Sequence, residues 1–270
     1  MVGRCMFLVF LFRMSLGAPT SQLILDLGYD YDNNTQWWPG MQKFDIFERT
    51  RIKNVYGIIP WFAVNTFKTA EHVGTHVDAP FHFDENGWKL GDIPLERFYS
   101  PGLLIDVSNE VKDNFDFEFE PRHIQSWEAK HGRIPNNTVV LIRFGWSKKH
   151  YSNHDDYYGI NKTTTPLNFP AAAQVFVSRG VYGVGLDTPS LDPGKNAAFE
   201  AHNVLLRARI FGIENLNLAS QQIPVKDFML HVMPMKITEG TGAPARVMAF
   251  INSQENKGFP FLNIISQLWK

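Results

Sequence analysis

The feature of this chain that most constrains its fold is a series of short, largely apolar runs set apart by turn residues and helix-like segments. The runs at 23–27, 102–107, 138–144, 181–186 and 245–250 are rich in Leu, Val and Ile and lack the strict polar alternation of a half-solvated strand. Such runs read as strands covered on both faces. Between them, 121–130 opens with Pro and stops at Gly132, 170–179 is Ala-rich and closes at Gly180, and 197–209 carries good helix formers. Buried strands interleaved with helices predict an α/β domain with a mixed sheet. No internal repeat and no long Gly/Ser-rich linker divides 19–270, so this stretch is expected to form a single domain.

Residues 1–18 stand apart. Arg4, the apolar run 5–12, and then Ser15, Gly17 and Ala18 follow the order of a secretory signal cleaved after Gly17 or Ala18. The apolar run is less than half of the roughly 20 residues that a membrane-spanning helix needs, so no membrane span is expected. The chain's one cysteine, Cys5, lies inside this segment. A mature protein without a thiol excludes both a disulfide scaffold and a cysteine nucleophile. Sequons at Asn33, Asn136 and Asn161 add modest support for a secreted, extracellular protein. With 26 basic against 27 acidic residues and the basic ones dispersed, a nucleic-acid partner is not expected. A hydrophobic fraction of 44% excludes chain-wide disorder.

The chemistry is concentrated in His72-Val73-Gly74-Thr75-His76-Val77-Asp78-Ala79-Pro80-Phe81-His82. An α-helix turns about 100° per residue, which places His72 and His76 on one face but sends Asp78 to the far side. A straight strand puts His72, His76, Asp78 and His82 on one face, yet its rise separates His72 from His76 by about 13 Å, too far for one ion. Convergence therefore requires a bend, which Gly74 permits, and Pro80 ends ladder pairing soon after Asp78. Two imidazoles and a carboxylate suit a borderline divalent cation such as zinc or manganese, which activates water without a Ser or Cys nucleophile. His82, with an ordinary imidazole pKa of about 6.5, suits a proton shuttle beside such a site.

The spacing His72-x-Gly74-Thr75-His76-x-Asp78-Ala79-Pro80-x-His82 resembles the signature of the metal-dependent cyclase family, which includes bacterial-type kynurenine formamidases and isatin hydrolases. Further likeness lies in Trp37-Trp38-Pro39-Gly40, in 185–190, in 241–246, and in His202 and Glu214 at the interval that the family shows. After Trp-Pro-Gly this chain has Met41 where the family usually has Asp. The resemblance implies a swivelling β/β/α fold and a homo-oligomer, most simply a dimer. It implies metal ligation by His72, His76 and Asp78, completed by His202 and Glu214 in a site for one or two zinc or manganese ions bridged by Asp78 and Glu214. It further implies acid/base work by His82 and a substrate contact at Trp38. The expected activity is hydrolysis of a small aryl amide, N-formyl-L-kynurenine to kynurenine and formate. Opening of a cyclic amide such as isatin is the alternative, and a secreted metal-containing binding protein without turnover is a third reading.

Two other clusters are expected to lie outside the site. The Tyr-rich stretch 150–158 reads first as an exposed loop, with a place at the pocket edge as the alternative, and 115–120, alternating Phe with acidic residues, reads as an edge strand or a loop laid on the core. Asp187 and Ser190 follow a strand end, where α/β sheets collect their sites and where turn caps also occur.

Overall fold

The computed structural model describes residues 22–112, 114, 117–160, 170–192 and 198–252. The signal-like segment 1–18 and Asn161 lie outside the described residues. Ile24–Ile251 form one compact unit. A second unit, Met1–Leu23 with Asn252–Lys270, has only Gln22, Leu23 and Asn252 among the described residues.

The strands are β1 (Gln22–Asp26), β2 (Asp45–Val55), β3 (Ile59–Lys68), β4 (His76–Asp78), β5 (Tyr99–Asp106), β6 (Val139–Arg143), β7 (Gly183–Leu186), β8 (Phe211–Glu214), β9 (Phe228–Pro234) and β10 (Gly242–Asn252). The helices are α1 (Ser108–Val111), α2 (Pro121–His131), α3 (Trp146–His150), α4 (His154–Tyr158), α5 (Pro170–Arg179) and α6 (Glu200–Arg207). The sheet runs β1-β10-β4-β8-β7-β6-β5-β9, and a further β10–β9 pairing brings its ends together like a barrel. β10 achieves this by its length, pairing Gly242–Pro244 with β4 and Ala245–Phe250 with β9. The β5–β6–β7–β8 segment is parallel and the pairings through β4, β9 and β10 are antiparallel, so the predicted α/β mixed sheet is present.

Strand periodicity divides the core. In β5 and β6, Leu103, Ile105, Val140 and Ile142 face a cluster with Ile124 and Trp127 of α2, Phe176 of α5 and Leu205 of α6. Leu104, Val139 and Leu141 point the other way, to a second cluster with Leu230, Ala243 and Val247. Both faces are covered, as the continuous apolar runs imply. Phe117 and Phe119 bury into the first cluster, as a segment laid on the core would.

The long β2–β3 hairpin escapes a pattern-based reading. Every residue of β3 is exposed, and apolar and charged side chains occupy both strands without the one-sided pattern of a core strand. The stretch 150–158 is a correction to the exposed-loop expectation. It runs from the last residue of α3 through α4, with Tyr157 and Tyr158 buried, because the Tyr157 hydroxyl donates to Asn215 Oδ1 at 2.9 Å and both rings pack in the first cluster.

Candidate metal centre

The bend that the sequence requires occurs at Gly74, whose φ is +60°. A Cβ there would lie 2.8 Å from Tyr31 Cζ. The Tyr31 hydroxyl sits within hydrogen-bond reach of the Val73 and Thr75 carbonyls on either side of the bend, at 2.6 and 2.5 Å. The bend brings the His72 and His76 ring centroids to 5.2 Å. Gly74→Ala combines a left-handed backbone with a collision against Tyr31, and is expected to destabilise the protein by about 1–3 kcal/mol. A chemical-denaturation midpoint equal to wild type would contradict this.

Past the bend, β4 sets His76 opposite Glu214 and Asp78 opposite Gly212 of β8. Gly212 leaves room for the carboxylate, since a Cβ there would lie 2.9 Å from Asp78 Oδ2. Residue His202, in the first turn of α6, completes the approach, with Nε2 at 3.3 Å from Glu214 Oε1 and 3.8 Å from Asp78 Oδ2. His76 Nε2 stands 3.2 Å from Asp78 Oδ1 and 3.5 Å from Glu214 Oε2. The His82 ring stacks on His72 at 3.9 Å. All six predicted residues His72, His76, Asp78, His82, His202 and Glu214 are thus brought together.

This donor set fits a cation. Possible ligand atoms of His72, Asp78 and His82 lie within 4.8 Å of one another, as do those of His76, Asp78 and Glu214, and the sets share Asp78. Asp78 Oδ2 is buried without a hydrogen-bond partner, an arrangement that a positive ion would satisfy. The ring nitrogens turned away from the cluster are anchored. His76 Nδ1 meets the Gly74 carbonyl at 2.9 Å, and His202 Nδ1 meets Asp192 Oδ2 at 2.7 Å, leaving Nε2 of each toward the carboxylates. Asp192 also accepts the backbone N–H groups of Ala201 and His202, tying the start of α6 to the site. This buried aspartate carries no motif that sequence reading could have singled out.

Charges are tightly paired. Burial alone would lower the His76 imidazole, but Asp78, Glu214 and the Gly74 carbonyl push it up to about 9. His202 is likewise pushed up against its burial, to about 10, by Asp192 and Glu214. Burial would raise Asp78, yet His76 and His72 hold it well below the usual carboxylate range. Glu214 is raised by burial and by the Asp78 charge. His82 departs from the ordinary imidazole range expected of it: burial, and then its histidine neighbours, drive it down to about 3.

A pH dependence follows. Without metal, His76 and His202 are doubly protonated at pH 7, and a cation reaches their Nε2 atoms only by displacing protons. Metal uptake is expected to release protons, with affinity rising until about pH 9 to 10. Because the folded pKa values exceed the unfolded 6.5, the stability from these histidines is full below pH 6.5 and lost as pH rises through about 9. Calorimetry in buffers of different ionisation enthalpy measures the release; uptake without proton release would overturn this charge state.

Over the cluster lies a cavity of about 150 Å³, walled by Trp38, Met41, Phe83, Tyr158, Pro189 and Phe199, with Ser190 also lining it. A cavity of this order accommodates a single benzene ring. Trp38 meets Tyr158 edge-on, with ring centroids 5.6 Å apart. Asp187 lies buried, its Oδ1 accepting the Phe144 N–H at 2.7 Å, and burial raises its pKa to about 7.

A barrel-like mixed sheet carrying this His/Asp/Glu cluster defines a metal-dependent hydrolase. The family model Cyclase matches residues 25–193, more than half of the chain, and the protein belongs to the cyclase family. Among its relatives, the isatin hydrolase of Roseibium aggregatum is 33% identical over 205 residues, spanning 71% of this chain and 76% of that protein. The kynurenine formamidase of Bacillus cereus is 28% identical over 225 residues, spanning 83% of this chain and 95% of that one. Isatin hydrolase A from Labrenzia aggregata bound to benzyl benzoate superposes with a TM-score of 0.74 at 31% identity, covering 86% of this chain and 94% of its own. An isatin hydrolase bound to the product analogue thioisatinate gives 0.75 at 28% identity, covering 86% and 93%.

Proposed function

We propose that the protein hydrolyses the amide C–N bond of a small aryl amide, N-formyl-L-kynurenine in the first instance, giving kynurenine and formate. The observation that carries this reading is the pair of ligand sets sharing Asp78 beneath an aromatic-walled cavity. His72, His76, Asp78, His202 and Glu214 would hold one or two zinc or manganese ions. Such an ion supplies a water of lowered pKa and polarises the carbonyl. Trp38, Phe83 and Tyr158 hold the aryl ring and exclude water. His82, kept neutral by burial, has a free lone pair with which to accept a proton from water as the C–O bond forms. It returns that proton to the amine nitrogen as the C–N bond breaks.

A second reading, opening of a cyclic amide such as isatin, uses the same residues and is favoured by the likeness to isatin hydrolases in sequence and structure. Product analysis with both substrates, on metal-stripped protein and after adding zinc or manganese, separates the two. Failure on both with metal bound would overturn the amidohydrolase reading.

Secretion follows from the signal-like order of 1–18 and is checked by the N-terminal sequence of protein exported from cells. The sequon residues Asn33 and Asn136 are exposed, which fits glycan attachment. Homodimerisation is supported by the β2–β3 hairpin, where Trp61, Phe62, Val64 and Phe67 are about half exposed. Light scattering of wild type beside a Phe62→Lys, Val64→Lys variant checks it: a dimer that becomes monomeric supports this surface, and a wild-type monomer refutes the dimer.

A further inference from the structure

His72 is held in the opposite sense to the other two histidines. His76 and His202 are anchored through Nδ1 and present Nε2, whereas His72 is anchored through Nε2, 2.8 Å from Thr241 Oγ1, and presents Nδ1 to Asp78 Oδ1 at 2.7 Å. The Thr241 hydroxyl has one proton, and it goes to Glu71 Oε2 at 2.6 Å. The same carboxylate oxygen accepts the Thr241 N–H at 3.0 Å. Thr241 Oγ1 therefore faces His72 as an acceptor, which requires a proton on His72 Nε2.

The segment around Thr241 is built to this end. Its carbonyl accepts the Ala79 N–H at 2.8 Å, locking it against the strand that carries Asp78. At the next position a Cβ on Gly242 would lie 2.6 Å from His72 Cε1, so only glycine leaves space for the ring. The pattern 241–246 was legible in the sequence without a role, and this is one.

We propose that Glu71 and Thr241 are positioning residues, whose hydrogen-bond relay keeps the His72 proton on Nε2 and so presents Nδ1 beside Asp78 as the ligating nitrogen. The inference rests on the metal-centre reading above. With the relay in place, the hydrogen that Nδ1 shares with Asp78 Oδ1 is the one a cation displaces, and the ring keeps its other proton on Nε2; without the relay nothing holds a proton at Nε2, and the proton left on the ring competes with the cation for Nδ1. Residues that orient a metal-binding histidine typically change affinity by about 10–100-fold when removed.

The test measures zinc affinity of the full chain by chelator competition, together with the visible absorption of the cobalt-substituted protein. Thr241→Val keeps the side-chain shape without the hydroxyl, and is expected to weaken zinc binding about 10–100-fold and to alter the cobalt spectrum. Thr241→Ser restores both. Glu71→Ala behaves as Thr241→Val does, and Glu71→Gln, which retains an acceptor oxygen, behaves as wild type. Thermal unfolding of each metal-free variant reports the fold separately. Wild-type zinc affinity in a folded Thr241→Val protein would overturn the relay, and so would equal losses in Thr241→Ser and Thr241→Val. A wild-type protein that binds neither zinc nor cobalt would overturn the metal-centre reading itself.

Discussion

Asp78→Ala is expected to abolish stoichiometric metal binding and to lower turnover by about 10³-fold or more, matching the several kcal/mol that a catalytic cation contributes. The effect is large because Asp78 is the carboxylate common to both ligand sets, and its buried Oδ2 has no hydrogen-bond partner. The substitution also removes the main charge that holds up the His76 pKa, so His76 would titrate lower in the metal-free variant. Two measurements check this result: metal content by elemental analysis, and the rise in melting temperature expected when zinc is added to wild type and not when it is added to the variant. A variant that retains full metal content would show that the cation sits elsewhere.

His82→Ala is expected to lower kcat by about 10²–10⁴-fold, the usual worth of a positioned acid/base. The protein should still bind metal. His82 is held neutral by burial, and a nitrogen of its ring lies within 4.8 Å of ligand atoms of His72 and Asp78, which sets a proton acceptor beside the cluster. Its nitrogen also falls within ligand range of His72 and Asp78, so metal content decides between roles. Lost turnover with metal retained identifies the proton carrier, whereas loss of metal together with turnover would make His82 a ligand. Asp78→Ala and His82→Ala therefore separate binding from proton movement within one cluster.

Much of this architecture was legible in the chain. The apolar runs became β1, β5, β6, β7 and β10, and the Pro and Gly signals placed α2 and α5 to within a residue or two. The metal motif yielded its geometry by elimination, since neither helix nor straight strand could gather His72, His76 and Asp78, and the left-handed Gly74 supplies the bend. Pattern failed where burial was not one-sided. β2 and β3 expose both faces, so no polar alternation marks them. The short α3 and α4 look polar, yet Tyr157 is buried because Asn215, far along the chain, receives its hydroxyl.

The sequence by itself determined the candidate donors of the 72–82 motif, the need for a turn between them and the strand and helix periods that build the scaffold, because each depends on residues a few positions apart. The assembly of β4 with β8, β10 and α6 decided the rest. It set His202, Glu214 and Thr241 against the motif, chose which nitrogen of His72 and of His202 faces the carboxylates, and drove His82 out of its ordinary titration range. Those properties belong to burial and to hydrogen bonds between distant segments, and such contacts exist only once the register of β4 against β8 and β10 has formed.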